Sequence, residues 1–119
     1  MTAAPRPPAH VLPYVEVLGT DGAVELLLEL GGAEVYFAEA PTGRGRLAEI
    51  VGVEAAARLA EAGTGPVRRV PLAKRWIAQV LAAQGTPVAE IARRLHVSDV
   101  TVRGYLREGR RDPRQGTLL

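Results

Sequence analysis

The chain has 119 residues, with 15 lysines and arginines against 13 aspartates and glutamates. That length suits one small domain or two very small ones and leaves no room for a Rossmann or barrel enzyme. Cysteine is absent, which excludes disulfides, thiolate metal sites and cysteine nucleophiles.

The two histidines, His10 and His96, are too far apart to form a local metal motif, and no cofactor or metal is expected. The net charge of +2 conceals a split. Residues 1–65 hold 4 basic and 9 acidic side chains, a balance of −5, whereas residues 66–119 hold 11 and 4, a balance of +7. A chain divided in this way points to two tasks, one of them at a polyanion. No run of apolar residues is long enough to span a membrane. The N-terminus is broken by prolines and lacks an apolar core, so a cytoplasmic protein without a signal peptide is expected.

In chain order, residues 1–13 carry four prolines and read as a flexible arm. Residues 14–66 contain a duplication. The stretch 17–38 aligns with 50–71 at a constant offset of 33, pairing Gly19 with Gly52, Ala23 with Ala56, Leu26 with Leu59 and Gly32 with Gly65. Each copy reads as an acidic helix start (Asp21, Glu54), a short amphipathic helix, a glycine stop (Gly31/Gly32, Gly63/Gly65) and a short β-prone run. The strand candidates are Val35–Phe37 and Val67–Val70, the latter within a strand linker over 67–71. Helices of this length are marginal alone, and two short strands make a poor sheet. The N-terminal half is therefore expected to be completed by a second copy of itself, making a homodimer.

Residues 72–107 read as a helix-turn-helix domain. LAKRWIAQVLAAQ places Leu72, Trp76, Ile77, Val80 and Leu81 on one helical face, and Gly85 ends it. Thr86 is expected to cap a second helix with Pro87 at its first position. His96 and Val97 form a tight turn, with His96 as a turn residue. Ser98 then caps a third helix running to Glu108. Ile91, Leu95, Val97, Val102 and Tyr105 or Leu106 fall inward, and Ala92 is the small residue at the helix contact. Residues 108–119 read as a basic tail.

Helix, short turn and helix are the arrangement that places a recognition helix in a major groove. The outward residues of that helix are Ser98, Asp99, Val100, Arg103, Gly104 and Arg107. Arg103 contacts either a guanine edge or a phosphate. Asp99 either faces DNA or complements the helix N-terminus. Thr101 meets a phosphate, a thymine methyl or the core. Arg93 and Arg94 either reach phosphates or form a solvated face. Gly104 either permits close approach to DNA or is simply tolerated, at about 1 kcal/mol in helix propensity. The Arg44-Gly45-Arg46 run is either a minor-groove contact or a plain loop.

The run from Leu47 to Leu106 resembles the Mor/C-type transcription activators of Mu-like phages and prophages. The likeness is carried by LAEIVGVEAAARLAEAGTG, the strand-like VRRVP, the helix after it and PVAEIARRLHVSDVTVRGYL, with LELGGAEVYF repeating the glycine–strand element. The resemblance implies dimerisation through the N-terminal half, a strand linker at Val67–Val70, DNA-binding C-terminal domains and promoter activation by contact with RNA polymerase.

The expected fold is thus mostly α with short β-strands, and the expected function is sequence-specific binding of double-stranded DNA by a dimeric transcription regulator. The alternative is a virion or packaging protein that uses the same hairpin for protein or DNA contacts. An enzyme is not expected, because Glu90, Asp99, Glu108 and Asp112 of the basic half do not cluster as metal ligands would.

Overall fold

The computed structural model describes residues 5–37, 45–62 and 67–111. A 3-10 turn at Ala9–Val11 leads into α1 (Leu12–Leu30) and β1 (Glu34–Tyr36). Then come α2 (Arg46–Val51), α3 (Val53–Ala62) and β2 (Val67–Arg69). The last three elements are α4 (Lys74–Ala83), α5 (Val88–Leu95) and α6 (Asp99–Arg111). The chain is mostly helical with one two-stranded antiparallel sheet. It divides into two compact units, one of residues 9–72 and one of residues 73–119 joined by 1–8.

The sequence duplication is a structural one. Helix α1 breaks at Gly19, whose backbone lies at φ 78°, ψ 170°. Gly52, at the equivalent position of the second copy, separates α2 from α3 at φ 91°, ψ 158°. Both fall in a region open essentially to glycine alone. Nothing lies within 4 Å of a Cβ built at either, so backbone conformation and not space demands the residue. The strands also coincide, since Glu34–Tyr36 plus 33 gives Val67–Arg69. The buried side chains repeat as well: Ala23 and Ala56, Leu26 and Leu59, Phe37 and Val70 are each at most 2% exposed.

The two copies pair with each other. Glu34 faces Arg69, Val35 faces Arg68 and Tyr36 faces Val67. Val35 and Arg68 are equivalent residues, so the register places a local two-fold axis between the copies. Bonds from Gly32 N–H to Val70 O (2.7 Å) and from Val70 N–H to Ala33 O (2.9 Å) extend the ladder. Within one chain, each repeat thus supplies the strand partner of the other.

Arg68 ties the end of α3 to its own strand and joins the second copy to the first. Its guanidinium donates to Leu59 O (3.2 Å) and Ala60 O (3.1 Å) at the end of α3. It also stacks 4.0 Å over the Phe37 ring. These contacts satisfy carbonyls that a helix end leaves orphaned, and are worth on the order of 1–2 kcal/mol. Arg69 donates to Gly32 O at 2.6 Å. Burial raises the pKa of the Tyr14 hydroxyl, and Arg68 partly offsets that shift.

Three expectations change. Residues 67–69 are not a linker but half of the sheet of the N-terminal unit, because their partner lies 33 residues upstream in the same chain. Residues 9–13 of the expected arm are ordered, as a 3-10 turn and the start of α1, where Pro13 sits in the first turn and its missing N–H has no helical partner to lose. The expected tail begins as helix, since α6 continues to Arg111. The glycine stops at Gly63 and Gly65 lie outside the described residues.

Gly19→Ala and Gly52→Ala are each expected to cost about 1–3 kcal/mol, through backbone strain alone. Urea melts of the two variants measure this, and equal, small losses near zero contradict a conformational role for the repeated glycine.

Candidate nucleic-acid interface

The unit of residues 73–119 is built on α4. Trp76, Ile77, Ala78, Val80 and Leu81 are buried, while Leu72 is 52% exposed and lies outside the helix. The helix begins only at Lys74, because Ala73 adopts a left-handed conformation (φ 48°). Trp76 Nε1–H donates to Pro5 O at 3.3 Å, so the start of the chain closes this core.

The turn from α4 to α5 differs from expectation. Gly85 N–H donates to Ala82 O (3.0 Å) and Thr86 N–H to Leu81 O (2.9 Å). This is the Schellman pattern, with Gly85 left-handed at φ 92°. Thr86 thus belongs to the end of α4 and not to the cap of α5. Pro87 occupies the cap position itself, extended at φ −64°, ψ 149°, with no side-chain cap bond.

The turn from α5 to α6 repeats the device. His96 N–H donates to Arg93 O (3.3 Å) and Val97 N–H to Ala92 O (3.1 Å), with His96 left-handed at φ 58°, ψ 46°. His96 is therefore a turn residue, in the place where glycine is usual. Ser98 caps α6: Thr101 N–H donates to Ser98 Oγ at 3.1 Å, and the two hydroxyls lie 2.9 Å apart. Between α5 and α6 only His96, Val97 and Ser98 intervene.

These turns present one face of α6 outward. Val102 is fully buried, and Ile91, Ala92 and Leu95 of α5 are buried as well, whereas Val97, Tyr105 and Leu106 are half-buried. On the other side Val100, Arg103 and Arg107 are exposed and Gly104 is half-exposed. Asp99 and Arg103 form an ion pair at 3.4 Å with both side chains more than half exposed. In that exposure such a pair contributes about 0.3–0.5 kcal/mol, so Arg103 exchanges it readily for another anionic partner. Arg93 and Arg94 are exposed in the last turn of α5, where their charge suits the helix dipole. Ser98 and Thr101 are engaged with each other in the cap.

Three supports of α6 had no local signal. Gln79 donates to Tyr105 O at 3.1 Å. Arg75 pairs with Glu108 at 2.6 Å and lies 5.6 Å from the Tyr105 ring. Gly109 is buried against Gln79, where an added Cβ would fall 2.8 Å from Gln79 Cδ. All three link residues far apart in sequence, so no helical spacing reveals them. Arg44 of the Arg44-Gly45-Arg46 run lies outside the described residues; Arg46 opens α2 and is exposed. Among the described residues no cluster of three or more metal-binding side chains occurs.

His96→Gly is expected to raise stability by roughly 1 kcal/mol by relieving the left-handed conformation. Ser98→Ala should lower it by about 1 kcal/mol through loss of the cap. Thermal melts of both variants check the pair, and a destabilised His96→Gly would contradict the turn assignment. Compared with known protein families, curated proteins and solved structures, the chain matches none.

Proposed function

We propose that the chain is a sequence-specific, double-stranded-DNA-binding transcription regulator. The observation that carries this reading is the α5–turn–α6 arrangement, with an α6 face of Val100, Arg103, Gly104 and Arg107 turned away from the core. Arginines on that face and at the end of α5 supply the sequence-independent attraction to phosphates. The exposed first turns of α6 reach base edges in a major groove. Residues 73–119 carry 9 basic and 4 acidic side chains, a balance of +5, which favours a polyanionic partner. The resemblance to Mor/C-type activators supports the further step to a phage or prophage activator that contacts RNA polymerase.

One recognition helix brings only three or four side chains to base edges, so high specificity needs a second. Two chains on half-sites about 34 Å apart supply it. The pairing of β1 with β2 inside one chain favours an assembly in which two chains come together on the DNA. No helix among the described residues is long and apolar enough to cross a membrane.

A salt titration of binding to duplex DNA tests the reading. With three to four phosphates neutralised per chain, the slope of log K against log salt should be about −3; a flat line rejects the phosphate contacts. In sedimentation, the free chain is expected to run as a monomer of 12.7 kDa and to place two chains on a selected duplex. A stable dimer without DNA would overturn assembly on the site.

A further inference from the structure

The outward face of α6 carries two features that its own fold does not explain. Val100 is 69% exposed, the most exposed large hydrophobic side chain among the described residues. It is also β-branched, a poor choice for an exposed helical position. Gly104 lies in the middle of the same helix, where glycine is the least favoured residue after proline. Its φ is not positive, and an added Cβ would meet only the far end of Arg107, at an ordinary 3.8 Å. Gly109 makes the contrast, since there the Gln79 side chain fills the space a Cβ would need.

Val100 and Gly104 are one turn apart and therefore neighbours on the helix surface. Helical side chains lean toward the N-terminus. Any side chain at 104 would thus lie over Val100, and its absence leaves the valine methyls uncovered. Arg103 and Arg107 flank this apolar window with positive charge.

We infer that Val100 reads a thymine, packing its methyls against the C5-methyl group in the major groove, and that Gly104 is the gap that admits the base-pair edge. The thymine methyl is the one apolar group that a base pair presents in that groove. The flanking arginines select a polyanion over an apolar protein partner. This inference rests on the DNA-binding reading above.

The test begins with selection of a bound duplex from a random library. That duplex is then resynthesised with deoxyuridine replacing one thymidine at a time, which removes only the methyl group. At one position per half-site the replacement should weaken wild-type binding about fourfold, the effect of one buried methyl. Val100→Ala should bind the thymidine and deoxyuridine duplexes alike at that position. Gly104→Ala should melt higher than wild type yet bind the selected duplex at least fivefold more weakly, a combination that a fold defect cannot produce. An enriched duplex that binds equally with deoxyuridine at every position overturns the thymine readout and leaves the regulator reading standing. So does Val100→Ala if it keeps the wild-type discrimination. Undiminished binding by Gly104→Ala removes the gap. If no duplex is enriched, the regulator reading fails and this inference falls with it.

Discussion

The antiparallel pairing of β1 with β2 is the constraint on which the N-terminal unit depends. Each strand has three residues, far too few to persist alone. They hold because equivalent residues of two repeats meet about a shared axis, which brings Phe37 and Val70 into the core together. The helices are fixed by the same relation. Gly19 and Gly52 turn the chain identically in each copy, so Ala23 and Leu26 reach the centre as Ala56 and Leu59 do. A small chain thereby obtains, from its own duplication, burial that neither repeat could reach alone.

The C-terminal unit solves a different problem, which is to reverse a chain twice in few residues. Both reversals end a helix with two crossed carbonyl bonds and one left-handed residue. Glycine serves at position 85 and histidine at 96. The second turn is followed at once by the Ser98 cap, so the axis of α6 is set by backbone geometry within four residues of α5. Gln79, Arg75 and Gly109 then hold the far half of α6 against α4. The exposed first half is left with its side chains on a rigid element, the condition a readout helix requires.

Much of this was legible in the residues, for identifiable reasons. The offset of 33 located both strands to within a residue, because a repeat shows non-local equivalence directly in the sequence. The cap at Ser98 and the turn at His96 follow from local chemistry, and local chemistry is what a sequence displays. The errors are equally physical. Pro13 reads as a helix breaker but is compatible with a first helical turn. Thr86 followed by Pro87 imitates a cap, yet the helix starts one residue later, at Val88, so Pro87 takes the cap position. The strand at 67–69 was legible but its pairing was not, so it read as a linker, although its partner is the equivalent strand 33 residues upstream. Leu72 has helical spacing from Trp76, but left-handed Ala73 stops the helix short of it.

The charge split carries a similar lesson. Arg68 and Arg69 count toward the basic half, yet both donate to backbone carbonyls of the N-terminal unit. The net positive balance nevertheless stays with residues 73–119, where 9 basic side chains stand against 4 acidic ones. In the regulator reading this division has a thermodynamic consequence. A unit that closes on itself folds independently of chain concentration, whereas one completed by a second subunit does not. In the assembly proposed above, adjacent sites on DNA would drive the pairing of chains, and occupancy would respond steeply to protein concentration while the fold stayed insensitive to it.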